Sequence, residues 1–230
     1  MQLMHSTIID AVSISKSFRI ENRQIPVLSN VSLTVSEGEF LVVEGSSGSG
    51  KTTLLSLLSG LDKPTSGRIF IEQTEITHLS EDDLAPLRNG TFGFVFQSFH
   101  LVPSLTAVEN VMFPAELRRE RAAAPKARAL LQRVGMSHRI HNYPHQLSGG
   151  EMQRVAICRA LVNHPRIIFA DEPTGNLDSK NGQAILELLM EFHREQNTTM
   201  ILVTHSQEIA ELADRIIFLE DGRINEDTRG

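Results

Sequence analysis

Short apolar runs, bounded by polar or glycine-containing turns, recur along the chain and predict the strands of a sheet. Val31, Leu33 and Val35 alternate with polar residues, which is typical of a strand with one exposed face. Other runs are almost entirely apolar, as in strands that a parallel sheet buries on both faces. These runs are residues 40–44, 92–96, 167–170 and 200–204. Further strands are expected at residues 7–20, 27–35 and 68–72, and a closing hairpin at residues 216–219 and 223–225 around Asp221-Gly222.

Most of the predicted helices lie between residues 98 and 158. Thr106 and Ser148 are each followed by glutamate three residues later, which is the spacing of a capping box and predicts two helix starts. Pro114 is expected to kink or interrupt the first of these helices. Another helix is expected at residues 125–134, ended by Gly135.

Strands and helices together predict an α/β core that is interrupted once by helices. A further helix between the strands at residues 167–170 and 200–204 has apolar positions at helical spacing, which we expect to pack in the core. These positions are Ile185, Leu188, Leu189 and Phe192. We therefore predict one domain, with residues 1–97 and 159–230 as the α/β core and residues 98–158 as a helical subdomain.

A glycine-rich stretch lies between the buried strand at residues 40–44 and a short apolar helix that Gly60 should end. It reads Gly45-Ser46-Ser47-Gly48-Ser49-Gly50-Lys51-Thr52-Thr53. Strand, loop and helix in this order, with the spacing G-x-x-x-x-G-K-[ST], predict a loop whose N–H groups surround a β-phosphate. Lys51 would reach the β- and γ-oxygens, and the Thr52 hydroxyl would bind Mg²⁺. The chain is therefore predicted to bind a nucleoside triphosphate.

Three other predicted strands end on polar residues, and ligands of doubly wound sheets bind at the carboxyl ends of strands. Asp171 and Glu172 follow residues 167–170, His205 follows residues 200–204, and Gln97 follows residues 92–96. We assign Asp171 to Mg²⁺, through water, and Glu172 to the attacking water as general base. His205 would either hydrogen-bond the γ-phosphate or orient the water. His205 and Gln97 are candidates only as parts of this set, since neither residue alone predicts a site.

A second predicted helix start carries two glycines. Ser148, Gly149 and Gly150 precede Glu151 and form another anion-binding N-terminus, but without a lysine. Since the loop at residues 45–53 already holds the β-phosphate, this second cradle indicates either that the γ-phosphate is gripped from another side or that a different anion binds. The residues alone do not choose between these two.

Composition narrows the class of protein without defining it. The 230 residues carry a formal net charge of −6, which argues against a mainly electrostatic nucleic-acid binder. No run of apolar residues is long enough for a membrane span, and the first ten residues lack the pattern of a signal peptide. Cys158 is expected to be a buried structural thiol. The neighbouring histidines His138, His141 and His145 are interpreted as solvated loop residues rather than as a metal site.

The motifs together resemble those of the ATP-binding-cassette (ABC) ATPases. The resemblance rests on residues 45–53, Gln97, 147–151, 167–172, 176–178 and His205, in this order along the chain. It implies a P-loop NTPase (RecA-like) α/β core with an antiparallel β subdomain and an inserted α-helical subdomain. It also implies ATP and Mg²⁺ as cofactors, with Gln97 joining Thr52 and Asp171 at the metal, and catalysis by Glu172, His205 and Gln97.

The resemblance further implies that two chains act together. Ser148, Gly149 and Gly150 would contact the γ-phosphate that a second copy binds, so that a head-to-tail homodimer encloses two ATPs, with Asp178 at the dimer seam. Phe18 occupies the position where the family often has a tyrosine stacked on adenine; it keeps the ring face and loses the hydroxyl.

A narrower resemblance, to the lipoprotein-releasing, macrolide-export and FtsE-like group, rests on residues 93–103, 109–111 and 171–178. It implies a separate integral membrane permease as partner and a place on the cytoplasmic face of the inner membrane. The chain ends soon after the predicted hairpin, so we expect no additional C-terminal domain. The alternatives are a soluble ABC ATPase acting on nucleic acid or ribosomes and an FtsE-like cell-division ATPase. A GTPase switch or small-molecule kinase would share only residues 45–53. We expect no nucleic-acid partner.

Overall fold

The computed structural model describes residues 6–21 and 23–229. The chain divides into two compact units, Met1–Arg88 with Asn197–Gly230 and Asn89–Gln196. In chain order the elements are β1 (Thr7–Ile20), β2 (Arg23–Ser36), β3 (Phe40–Glu44), α1 (Lys51–Leu58), β4 (Ser66–Ile71), β5 (Thr74–Glu75), α2 (Glu81–Thr91), β6 (Phe92–Phe96), α3 (Ala107–Leu117), α4 (Ala123–Arg133), α5 (Gly149–Leu161), β7 (Ile167–Asp171), α6 (Ser179–Gln196), β8 (Thr199–Val203), α7 (Gln207–Ala210), β9 (Arg215–Glu220) and β10 (Arg223–Arg229).

The first unit contains two groups of strands. An antiparallel sheet has the order β2-β1-β4-β5, and β2 begins at Arg23 rather than at residue 27 because it pairs with β1 as far as the Ile20–Arg23 pair. The other group has the order β10-β9-β3-β8, in which β3 runs parallel to β8 and to β9. The expected closing hairpin is confirmed as the antiparallel pair β9–β10. Phe40–Val43 of β3 is buried, as the apolar run predicts.

The second unit contains the parallel pair β6–β7 and the helices α3 to α6. Phe96 lies opposite Asp171 in the register of this pair. Gly93 of β6 approaches helix α5 so closely that a Cβ there would lie 2.7 Å from the Ala160 carbonyl oxygen. The helical subdomain predicted at residues 98–158 lies within this unit, and its boundaries stay a prediction.

Helix α3 excludes one of the two expected effects of Pro114, the interruption of the helix, while a kink stays a prediction. The helix runs from Ala107 to Leu117 with Pro114 inside it, so the proline does not interrupt it. Proline removes one backbone donor, but Val111 and Ala115 are both fully buried, so packing on either side of the proline supports the helix. The carbonyl of Pro114 also accepts a hydrogen bond from Asn89 Nδ2 at 3.1 Å.

The buried core matches the sequence pattern. The four apolar positions expected on one face of α6, from Ile185 to Phe192, are all buried. Cys158 is fully buried, and burial raises the pKa of its thiol, as expected for a structural rather than a reactive cysteine. No helix within residues 6–21 and 23–229 is long and apolar enough to cross a bilayer.

Candidate nucleotide site

The glycine-rich loop connects β3 to α1 in the first unit, as predicted. Gly50 lies in the left-handed region (φ 105°) immediately before the first residue of α1. At Gly45, where φ is 148°, a Cβ would lie 2.1 Å from the Leu219 carbonyl oxygen, so no larger residue fits. Ser46, Ser47 and Gly48 are exposed, and the backbone of the loop is therefore accessible to a phosphate.

Lys51 bridges the start of the loop. Its ammonium donates hydrogen bonds to the carbonyl oxygens of Gly45 and Ser46, each at 2.8 Å. These bonds hold the charge beside the N-terminus of α1, where a phosphate would gain from both the lysine and the helix dipole. Thr52 is exposed in the first turn of the same helix, and Thr53 is half-buried.

The loop is also supported by the β9–β10 hairpin, which the sequence did not indicate. The Gly222 N–H in the hairpin turn donates to the Ser49 carbonyl oxygen at 3.1 Å. The Gly222 carbonyl in turn accepts from the Ser29 N–H of β2 at 2.9 Å. The turn thus links the loop to β2 and supports the backbone whose N–H groups are predicted to bind phosphate.

Phe18 and His205 also belong to the first unit. The Phe18 ring on β1 is 41% exposed, which leaves surface for a stacked base. Lys16 Nζ lies 5.0 Å from the centre of this ring and pairs with Asp62 at 2.6 Å. His205 is exposed just beyond the carboxyl end of β8. Because β8 runs parallel to β3, His205 lies at the same edge of the sheet as the glycine-rich loop, which follows β3.

Gln97, Asp171 and Glu172 belong to the second unit, where β6 and β7 bring them to the same edge. Gln97 Nε2 donates to Asn176 Oδ1 at 3.2 Å, and Asn176 Nδ2 donates to the Gln97 carbonyl at 3.0 Å. Glu172 has a φ of 46°, which costs free energy for a residue with a Cβ. The Gly175 N–H donates to its carbonyl at 3.0 Å and stabilises this turn.

Ser148 begins helix α5 with the predicted capping box. Its Oγ accepts from the Glu151 N–H at 3.3 Å, and its N–H and Oγ donate to the Glu151 carboxylate at 2.8 and 2.9 Å. The bond from the Ser148 N–H, above all, lowers the pKa of Glu151, and Arg139 adds to this effect. These bonds within the chain fix the shape of the helix start.

The segment after β7 packs against this helix start. A Cβ on Gly149 would lie 3.4 Å from Leu177, and one on Gly150 would lie 3.1 Å from Asn181 Oδ1. The same Asn181 donates to Asp178 through its N–H and Nδ2, and its side-chain bond is the main cause of the lowered pKa of Asp178. The predicted second cradle and Asp178 therefore both lie next to Asn181.

Helix α5 holds two further backbone segments that the sequence analysis missed. Gln153 is fully buried, and its Nε2 donates to the Pro173 carbonyl, next to Glu172, at 2.6 Å. Arg159 donates to the carbonyls of Phe99 and His100, which follow Gln97. The sequence does not predict these contacts of Gln153 and Arg159. Both side chains donate to main-chain carbonyls, which every residue has, so no residue type marks the acceptor.

The three histidines near residue 140 are exposed, in agreement with their interpretation as solvated loop residues. Tyr143 and His145 stack with their ring centres 5.9 Å apart. The predicted site residues thus divide between the two compact units of the chain. The loop, Phe18 and His205 lie in the first unit, and Gln97, Asp171, Glu172 and residues 148–150 lie in the second.

A phosphate loop behind a buried strand and a capped, glycine-rich second helix start define an ATP-binding cassette, and comparison with known proteins agrees. The family model described as ABC transporter matches residues 28–175, and the chain belongs to this family. It is an ATPase that binds ATP, as predicted.

Its relatives share most of its length. The ABC transporter ATP-binding protein YvrO of Bacillus subtilis is 46% identical over 220 residues, which are 95% of this chain and 96% of YvrO. The macrolide export ATP-binding/permease protein MacB of Chlorobaculum tepidum is 45% identical over 222 residues, which are 96% of this chain but only 34% of MacB. The narrower resemblance to macrolide-export proteins is thus confirmed.

A solved structure has the same fold. It is the ATP-binding cassette MJ0796, in a dimeric post-hydrolysis state bound to ADP and Pi. The TM-score is 0.89 at 39% identity, and the match covers 96% of this chain and 98% of MJ0796. The predicted fold class, an α/β cassette with antiparallel strands and added helices, is confirmed.

Proposed function

We propose that this ATPase is the energy-supplying subunit of a transporter. ATP binding closes two copies, head to tail, around two ATPs, and hydrolysis reopens them. The observation that carries this proposal is that the chain has two glycine-rich helix starts of different character, one with Lys51 and one at Ser148 without a lysine. A helix start without a lysine binds a terminal phosphate weakly by itself, so it serves best when another cradle already holds the nucleotide. The dimeric state of MJ0796 supports the same arrangement.

The residues divide the chemistry among them. The loop N–H groups and Lys51 hold the β- and γ-phosphates, Phe18 stacks on adenine, and Glu172 acts as general base for the attacking water. His205 contacts the γ-phosphate or orients the water.

Mg²⁺ suits the donors that the chain provides. Thr52 contributes a hydroxyl, Asp171 a carboxylate and Gln97 an amide, and oxygen donors of this kind are the ligands that Mg²⁺ prefers. The Gln97 nitrogen already binds Asn176, so the amide oxygen is the atom that would act as ligand. When bound, the ion would neutralise charge on the β- and γ-phosphates.

A separate membrane permease takes up the motion, so the ATPase lies on the cytoplasmic face of the inner membrane. MacB, whose name joins ATP-binding and permease functions, matches this chain over 34% of its own length, which leaves room for a permease in the remainder. We place the docking surface at about residues 97–115. In support, Val102 and Phe113 are large apolar side chains exposed in this segment, and Leu117 continues it along α3.

ATP-dependent dimerisation tests the proposal. In the Glu172→Gln variant, which should bind ATP without turning it over, size-exclusion chromatography with light scattering should show dimers only when ATP and Mg²⁺ are present. Adding Ser148→Ala should raise the protein concentration needed for dimers about tenfold or more, because a hydrogen bond to a charged phosphate is lost.

Thr106→Ala in the same background is the matched control. Thr106 begins helix α3 with its own capping box, so this change also removes a helix cap but leaves Ser148 intact. It should dimerise like Glu172→Gln alone. Equal dimerisation by the Ser148→Ala form would show that the second cradle has no part in holding ATP.

A further inference from the structure

The turn that follows Gln97 has an unfavourable backbone conformation. Phe99 and His100 are consecutive residues with φ of 60° and 48°, in the left-handed region that residues with a Cβ seldom occupy. Local bonds alone are few: the Phe99 N–H donates to the Phe96 carbonyl at 3.2 Å, and the His100 N–H donates to the Ser98 carbonyl at 2.6 Å. Such a turn persists only when its surroundings hold it.

Arg159 supplies that hold from helix α5. Its Nη1 donates to the His100 carbonyl at 2.5 Å, and its Nη2 donates to the Phe99 carbonyl at 2.8 Å. The guanidinium is largely desolvated, and burial lowers its pKa below the ordinary value, although an arginine stays charged. A planar fork with two donors fits two successive carbonyls, which a lysine could not engage together.

The position of Arg159 connects two parts of the proposed mechanism. Ser148 caps helix α5, which begins at Gly149, and Arg159 lies about three turns further along the same helix. We infer that Arg159 is a positioning residue: it fixes the turn behind Gln97 to the helix that carries the second phosphate cradle, and so sets where Gln97 stands. This inference rests on the role given to Gln97 under Proposed function.

Two measurements on Arg159→Met test the inference. Amide hydrogen exchange, followed by mass spectrometry without nucleotide, should become faster in a peptide covering residues 98–102. At saturating ATP, kcat should fall about 10- to 100-fold, the loss expected when a group near the chemistry is misplaced by about 1 Å. KM for ATP should stay within about twofold, because Lys51 and its loop are untouched. Arg159→Lys keeps the charge and provides a milder variant should the methionine form fail to fold.

Arg154→Met is the matched control. Arg154 lies on the same helix and also donates to a main-chain carbonyl, that of Val134 at 3.3 Å, but it has no bond to the turn behind Gln97. Exchange at residues 98–102 and kcat should both remain at the parent values. If Arg154→Met and Arg159→Met lower kcat equally, the effect belongs to the stability of helix α5 and the inference is overturned.

A glycine at position 100 gives a test that a purely structural role would fail. Glycine adopts a φ near 50° without strain, so His100→Gly should make the turn less dependent on Arg159. In the Arg159→Met background it should recover kcat about fivefold or more. His100→Ala removes the same ring but keeps the Cβ, and should recover nothing. Equal recovery by alanine and glycine, or unchanged exchange in Arg159→Met, would overturn the inference.

The role of Gln97 is tested separately. If Gln97→Ala hydrolyses ATP at the parent rate, Proposed function is wrong about Gln97, and Arg159 then has no catalytic group to position. If Gln97→Ala is impaired while Arg159→Met shows faster exchange with an unchanged kcat, the Gln97 role stands and the positioning role of Arg159 falls.

Discussion

At the scale of single residues, we expect binding of the triphosphate to depend most on Lys51. Two of its three ammonium donors lie on the carbonyls of Gly45 and Ser46, so the charge is placed before a phosphate arrives. Little reorganisation is then needed when the ligand binds, and more of the attraction to the phosphate appears as affinity.

Lys51→Ala should weaken ATP binding by about 1.5–3 kcal/mol, roughly 10- to 100-fold, because a charged hydrogen-bond donor is lost. Isothermal titration calorimetry with Mg²⁺ and ATP measures this change. Lys63→Ala is the control, since Lys63 is exposed and its ammonium also binds a carbonyl, that of Leu79. Unchanged affinity in Lys51→Ala would remove the lysine from the site.

Glu172→Gln should leave ATP affinity nearly unchanged and lower kcat by about 10²- to 10⁴-fold, the usual contribution of a general base. The amide keeps the shape of the side chain but has no basic oxygen. Steady-state phosphate release gives kcat, and Glu187→Gln, a change of an exposed glutamate on α6, should match the parent. Turnover at the parent rate in Glu172→Gln would assign the base to another residue.

At the scale of elements, helix α5 combines three tasks in its 13 residues. Its capped start would form the proposed second cradle, Gln153 holds Pro173 beside Glu172, and Arg159 holds the turn behind Gln97. A displacement of this helix would therefore also move the turn after Glu172 and the turn after Gln97, because side chains of α5 bind main-chain atoms in both.

Glu151 makes the start of α5 sensitive to pH. Its pKa is lowered in the folded chain, so its contribution to stability is complete above the ordinary carboxyl pKa and is lost as pH falls through the lowered value. Near pH 7, Glu151→Gln should unfold in urea with a free energy about 1 kcal/mol below the parent, the usual value of a cap. The difference should shrink as the pH falls through the lowered pKa of Glu151, because the protonated carboxyl, like the amide, carries no charge. A difference that stays constant would exclude the carboxylate as its cause.

The elements that the sequence predicted best are those whose cause is local. Strands β3 and β6 were predicted at their observed residues, because a continuous apolar run marks a strand buried on both faces. The two capping boxes follow from a spacing of three residues. The phosphate loop is local in the same way.

The rest depends on contacts between distant residues. The turn at Phe99–His100 lacks a glycine, so nothing in its own sequence signals a left-handed backbone, and Arg159 acts on it from 59 residues away. Helix α3 continues through Pro114 because buried neighbours support it, which a rule about proline alone cannot anticipate. Tertiary packing outweighed local preference in both cases.

At the scale of the whole molecule, the partner distinguishes the candidate functions. Purified from detergent-solubilised membranes, the chain should bring down an integral membrane permease. Phe113→Ser with Leu117→Ser should reduce this recovery, because exposed apolar side chains on α3 are lost. Leu212→Ser, which removes an exposed leucine from the first unit, should leave the recovery unchanged. Recovery of RNA or DNA in place of a membrane protein would favour the soluble alternative, despite the net charge of −6.

The bond from Gly222 to Ser49 has a consequence for biosynthesis. The turn that supports the phosphate loop is made long after the loop itself, and strand β9, which pairs with β3, is made just before that turn. A nascent chain that has not yet released residues 215–222 therefore has its nucleotide-binding backbone without its brace. We therefore expect ATP to stabilise the loop only after residues 215–222 have been made, and a chain cut before residue 215 to bind ATP more weakly than one that contains the hairpin.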